Sequence, residues 1–409
     1  MSTKAKAAIL SVSFAIVLFT VVGGLGVKAS TSDGAYRQLG VYSEVLSRIR
    51  SEYVEEPNIP HVTQGALHGL LESLDASSSY LDPEEYKEYK TRRSNNDGKG
   101  TLGATISKRF GYAAVVSVIP GGPADKAGLA SGDIIEAIEG KSTRDLSLAQ
   151  ILTYTTGPVG SNLNVSVVRA RRAEPAKVTI TRDVLNVPSP QDKMLEEGIG
   201  YIKVDALTKG KSQEIANKVK SLQKNGAKKL ILDLREVSEG EMTEGVATAN
   251  LFLSRGVITY LQGQKYARET YNAEPDKAVT NLPLVVLVNR GTAGPAEVVA
   301  AAILENNRGD VLGDKTFGIG SVQRTIDMPG GSALILSVAK YYSPSGKAIQ
   351  DTAITPNILV ADADDDLILP DDGTESAEPE PLRKPEKGED EQLRRAIEVM
   401  KNSQKASLQ

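Results

Sequence analysis

The 409-residue chain contains no cysteine, which excludes disulfides and thiolate metal sites. It has only two histidines, His61 and His68, so a Ser-His-Asp triad would have to draw on one of them. Both fall in one N-terminal helical stretch, where a helix-surface or helix-contact role is expected and the carboxylates of a zinc site are missing. No metal and no cofactor are expected. A strong charge of either sign is also absent. The 48 basic and 52 acidic residues leave a net charge of -4, which argues against nucleic acid as a partner. The length allows two or three domains, and 40% hydrophobic with 24% charged residues fits a folded soluble body.

One long uncharged run is predominantly apolar. Lys4 and Lys6 precede an uncharged stretch, residues 7–27, which at roughly 1.5 Å per residue is long enough for a bilayer core of ~30 Å. The basic residues in front place the N-terminus inside and the chain beyond Lys28 outside. Residues 1–34 are therefore expected to anchor the protein in the inner membrane of a bacterial envelope, with the body in the periplasm or outside. A cut near Ala29 would instead release it.

Residues 35–97 read as a helical region. The segment G-A-L-H-G-L-L-E-S-L-D (65–75) places apolar residues at helical spacing, and Pro83 opens another helix with Asp82 as its N-cap. Asn95 to Gly100 reads as a linker. In P-G-G-P-A-D-K-A-G-L-A-S-G-D-I-I-E-A-I-E-G-K (120–141) a short helix from Pro123 ends at Gly128, Gly132-Asp133 turns, and Ile134, Ile135 and Ile138 form a buried strand. A helix over Ser147–Thr155 and a hairpin from 165–170 and 177–182 follow. This stretch, 98–185, resembles a circularly permuted PDZ domain, and PDZ domains bind peptide C-termini by strand addition. The resemblance implies a carboxylate loop at Leu102, Gly103 and Ala104, and an apolar pocket from Ile106, Leu148 and Leu152.

From 186 to 361 strands at 199–204, 229–234, 282–288 and 333–339 alternate with helices at 211–224, 241–254 and 295–307. Such βα units imply an α/β core with a largely parallel sheet. Residues 362–390 are acidic and proline-containing and read as a flexible linker. Residues 391–409 carry a short amphipathic helix that needs a surface to dock on.

Two further stretches, L-V-N-R-G-T-A-G-P-A-E-V-V-A-A-A-I-L (287–304) and G-D-K-T-F-G-I-G-S-V-Q (313–323), resemble the carboxy-terminal processing peptidases. These serine peptidases read N-x-G-S-A-S-A-S-E-I and G-x-x-T-F-G-K-G-S-V-Q. The resemblance extends to L-E-S-L-D-x-x-S-S-Y-L-D-P-E-E-Y and K-Y-Y-S-P-S-G-K-A-I-Q (340–350), and it implies a ClpP/crotonase-like core. Mapped residue by residue, the family's nucleophilic serine falls on Gly294, its lysine base on Ile319 and its supporting glutamine on Gln323. Glycine has no nucleophile, isoleucine accepts no proton, and Gln323 is expected to be a hydrogen-bonded core amide. The family's D-L-R-x-N-P-G-G, whose glycine amide serves the oxyanion hole, is here D-L-R-E-V-S-E-G (233–240). Glu239 and Gly240 therefore stand in the oxyanion region, where a carboxylate would oppose developing negative charge.

The expectation is an exported, membrane-tethered, catalytically inactive member of the family. It would bind the C-termini of exported proteins, regulate an active relative, and form a homodimer or hetero-oligomer through its terminal helices. The alternative is an active serine-type endopeptidase with a relocated Thr292–Lys315 dyad.

Overall fold

The computed structural model describes residues 32–94, 99–109, 111–169, 174–361 and 390–406. The expected anchor at 7–27 and the acidic stretch at 362–389 lie outside these residues. Among the described residues no helix is long and apolar enough to cross a membrane. The chain divides into two compact units, Met1–Leu67 and His68–Gln409.

In the first unit, helix α1 (Ser32–Glu52) leads into α2 (Ile59–Glu72), which continues across the division. Along α1 the apolar residues Leu39, Tyr42, Leu46 and Ile49, with Tyr53 just past its end, recur at alternating three- and four-residue steps. Leu39 is 60% exposed and Tyr53 62%.

The second unit opens with strand β1 (Ser79–Leu81) and helix α3 (Pro83–Ser94). The helix begins in a capping box: Glu85 N donates to Asp82 Oδ1 at 2.8 Å and Asp82 N to Glu85 Oε2 at 2.9 Å. His68 stands half-buried with Nε2 3.3 Å from Glu85 Oε2, and this carboxylate raises its pKa against the opposing effect of burial.

The expected PDZ region comprises β2 (Lys99–Thr101), β3 (Ala104–Arg109), β4 (Tyr112–Val118), α4 (Pro123–Lys126), β5 (Ile134–Ile138), β6 (Lys141–Ser142), α5 (Leu148–Tyr154), β7 (Thr156–Pro158), β8 (Asn162–Val168) and β9 (Ala176–Thr181). Its main sheet runs β3-β4-β5-β8-β9, with β6 beside β5. Ile135 and Ile138 both enter the core although three residues apart, because a register shift between Ile135 and Ala137 changes the strand's phase. Ile134 stays half-exposed. The end of the expected 95–100 linker is itself a strand: β2 pairs with β7.

The remainder contains β10 (Gln191–Met194), β11 (Ile199–Lys203), α6 (Lys211–Lys224), β12 (Lys229–Asp233), α7 (Met242–Asn250), β13 (Val257–Gln262), β14 (Glu269–Asn272), β15 (Leu284–Val288), α8 (Pro295–Glu305), β16 (Asp310–Gly313), β17 (Ser321–Asp327), β18 (Ala333–Tyr342), β19 (Ile358–Leu359) and α9 (Glu391–Ala406). A six-stranded sheet runs β10-β11-β12-β15-β16-β19, parallel throughout except at β10. Its central strands are buried on both faces and therefore lack polar alternation. Leu230, Leu232, Val286 and Val288 pack in the main core with α6–α8, while Ile231, Val285 and Leu287 pack with Ala396 and Met400 of α9. The closing helix thus docks on the body.

The strand expected at 333–339 does not join this sheet. As β18 it pairs antiparallel with β1, β13 and β17 in a second, five-stranded sheet. Strand propensity alone carries no partner information, which is why the two sheets merge in a reading of the chain. α7 also stops at Asn250, short of the expected 254.

Candidate functional site

The two loops that hold Gly294 and Ile319 meet on one buried carboxylate, Glu297. α8 starts with Pro295, whose missing N–H costs nothing at that position, and its residues 295–303 are all buried. Glu297 Oε2 accepts Gly294 N at 2.9 Å and Ile319 N at 2.8 Å. Oε1 accepts Gly318 N at 2.8 Å and the Thr316 hydroxyl. The nucleophile-position and base-position backbones therefore share a single oxygen. Burial pushes the Glu297 carboxyl up to about 7, against the pull of these four donors. No reading of the sequence singled out Glu297. Its signal was present as a charged residue in the first turn of an apolar helix, behind a proline and ahead of seven apolar residues.

Gly294 has φ 58 and ψ -118, a conformation that L side chains rarely adopt. Space is not the obstacle, since a Cβ there would lie 3.6 Å from Ser238 O and 4.0 Å from Met242 Cε. Ile319 is half-buried and presents only hydrocarbon. The 237–241 loop is held by Ala293 N on Val237 O at 2.9 Å and Leu207 N on Glu239 O at 2.8 Å. Gly240, at φ 143, approaches Leu207 so closely that a Cβ would sit 2.2 Å from its carbonyl oxygen. Glu239 turns toward the PDZ region, where Thr105 Oγ1 donates to it at 3.5 Å. Burial raises its pKa against that bond. Beside it the Ser117 and Ser238 hydroxyls share a hydrogen bond.

The relocated dyad does not form. Thr292 is fully buried, its hydroxyl donating to Leu234 O at 2.8 Å and accepting Asn289 N at 3.0 Å, which leaves no proton for a base. Lys315 is exposed and has no hydrogen bond to Thr292. Gln323 is an exposed amide bonded to Ser321 Oγ at 2.7 Å, not the core amide expected from its place in the motif. The reason is that β17 runs along β18 with its residues largely on the solvent side.

The expected carboxylate loop is only partly available. Leu102 N is committed to Thr155 O at 3.0 Å, which extends the β2–β7 pairing, and its side chain fills the PDZ core together with Ile106. Gly103 N reaches only Thr101 Oγ1, at 3.3 Å, and Ala104 opens β3, the edge strand of its sheet. Leu148 is buried, whereas Leu152 is 43% exposed on the next turn of α5. Gln150 caps α5 through Ser147 and also donates to Glu85 Oε1 at 3.1 Å, tying this helix to α3. Among the described residues no group of His, Asp and Glu side chains could hold a metal ion.

The comparisons agree with this architecture. Residues 198–360 match peptidase family S41 and residues 115–169 a PDZ domain. A carboxy-terminal-processing protease of Bartonella bacilliformis is 31% identical over 83% of this chain and 79% of its own length. The carboxy-terminal processing protease CtpA of Bacillus subtilis is 32% identical over 81% and 70%. The solved photosystem II D1 C-terminal processing protease superposes with a TM-score of 0.62 at 24% identity, covering 78% of this chain and 92% of that one, a likeness of fold. The chain belongs to the S41 peptidases of the carboxy-terminal processing type, with a mixed α/β core and a PDZ domain.

Proposed function

We propose that this S41 member has lost peptidase chemistry and works by binding. The observation that carries the reading is the pairing of Gly294, which has no side chain, with Ile319, whose side chain accepts no proton, on loops that Glu297 still holds together. Peptide-bond cleavage by this family's logic needs an activated nucleophile beside its base, and neither group is present. Glu239 adds a carboxylate where the oxyanion loop of the resembled enzymes has glycine.

The PDZ domain is then the working part. It captures C-termini of exported proteins along β3, through the Gly103–Ala104 end of the loop and the exposed Leu152 flank of α5. The run at 7–27 tethers the protein to the inner membrane with the body outside. The apolar stripe on α1 supports pairing with a second copy or an active relative, whose access to substrate it would regulate.

The test is cleavage of an unfolded exported protein by the natural chain, beside a Gly294→Ser/Ile319→Lys double mutant and Thr292→Ala. No turnover by the natural chain, with binding of peptides bearing a free C-terminus, is the expected result. Turnover that Thr292→Ala abolishes would overturn the reading. The double mutant is expected to fold, at a cost of roughly 1–3 kcal/mol for a side chain in the Gly294 conformation. Cleavage regained there would show that only the dyad had been lost.

A further inference from the structure

The PDZ domain has a second strand edge flanked by a helix, remote in its sheet from β3. β9 ends the sheet order and has β8 on one side only. The direction of its backbone groups is fixed at two points. Arg182 N donates to Ser161 O and Gly160 N to Arg182 O, both at 2.8 Å, so Arg182 faces β8. Asp183 faces the other way: Thr101 N donates to Asp183 O at 2.8 Å and Asp183 N to Thr101 O at 3.3 Å. Alternation along an antiparallel strand then turns the N–H and C=O of Thr181 and Thr179 to the same outer side as Asp183. Thr101 thus occupies the first position of this edge, and the chain departs before reaching the next two.

A cleft of about 470 Å³ lies along that unfilled stretch. It is lined by Thr179 and Thr181 of β9, by Pro123 and Lys126 of α4 with its C-cap Ala127, and by Val159, which is 48% exposed. A strand edge facing a helix across a cleft is an arrangement that binds an extended peptide by main-chain pairing. Charge narrows the ligand. Among the described residues Lys126, and Lys177 two positions before Thr179, have no ion-pair partner. The buried Arg182 guanidinium bonds only to oxygens of Tyr154, Ser161 and Asn162. The one carboxylate in the lining, Asp183, is engaged by Val184 N at 2.7 Å.

We propose that this cleft binds an extended acidic segment of another protein as an added strand on β9, independently of any free C-terminus. The site would let the domain hold a partner's internal segment while β3 remains open.

The probe is an acetylated and amidated decapeptide of alternating glutamate and valine, offered to the full chain. It is expected to slow amide exchange at Thr179 and Thr181 and to leave 104–109 unchanged. Lys126→Glu, at an exposed position, is expected to weaken binding about tenfold at low salt. Thr179→Pro removes an outward N–H without touching the β8 ladder and is expected to do the same. Leu152→Ala, in the other groove, is expected to have no effect. Absence of binding, protection confined to 104–109, or full affinity in Lys126→Glu would each overturn the proposal.

Discussion

Glu297 shows how one residue can hold two loops of a site together. Four donors converge on a carboxyl with no solvent contact, and burial outweighs them enough to raise its pKa from an ordinary 4.5 to about 7. A raised carboxyl pKa means that the fold favours the protonated form. That contribution to stability is complete below the ordinary value and is lost as pH rises through the interval to about 7. Urea midpoints of the natural chain between pH 4 and 8 should therefore fall more steeply than those of Glu297→Gln, which has no titrating group there. Parallel curves would mean that burial leaves the Glu297 pKa unshifted. The neighbouring Gly294 was singled out from sequence because motif order maps it onto the family's nucleophile position. The role of Glu297 was not, because its four partners come from residues up to 22 positions away.

At the scale of elements, the docking of α9 rests on a buried ion network at the end of β12. Asp233 is fully buried, and burial alone would raise its pKa. The Lys203 charge and the Arg235 guanidinium reverse this and hold it well below the usual carboxylate range. Arg235 donates to Asp233 Oδ2 at 2.6 Å and reaches Asp390, just ahead of α9, at 2.8 Å. Lys229, buried in β12, donates through Nζ to Met400 O at 2.5 Å. Arg235→Ala would leave the buried Asp233 with the Lys203 charge at 3.5 Å and the Tyr201 hydroxyl at 2.7 Å, and the expected loss is up to roughly 3–5 kcal/mol in urea unfolding. Because the Asp233 pKa is depressed, its contribution holds above the ordinary 3.8 and fades as pH falls below it. The variant should accordingly unfold at a higher pH on acidification. The same variant should expose α9 to protease, whereas an unchanged digestion pattern would show that apolar packing alone holds the helix. The amphipathic pattern of 391–401 announced a docking helix, and only the fold named the sheet face that receives it.

For the whole molecule, the stripe on α1 decides the expected assembly. Leu39, Tyr42, Leu46, Ile49 and Tyr53 keep heptad spacing while partly or fully exposed, the pattern of a helix that pairs with another. Replacing Leu39, Leu46 and Tyr53 with serine should lower the mass found by sedimentation while the 68–409 unit melts unchanged. A natural chain that sediments as a monomer would remove the assembly from the proposed function.

Sequence by itself determined the family and the order of the parts, and it placed Gly294 and Ile319 where the resemblance maps the dyad. Motifs at fixed spacing record chemistry residue by residue, and Gly294 and Ile319 need no coordinates to be read. It also located the strands β11, β12 and β15 of the parallel sheet, since short apolar runs between turn signals fit strands buried on both faces. Tertiary structure decided which sheet 333–342 joins, that Thr292 is a satisfied core hydroxyl, that Leu102 closes its own loop, and that β9 keeps a free edge beside α4. Each of these depends on a hydrogen-bond partner or neighbour distant in the chain, and local pattern carries no information about which distant group will arrive.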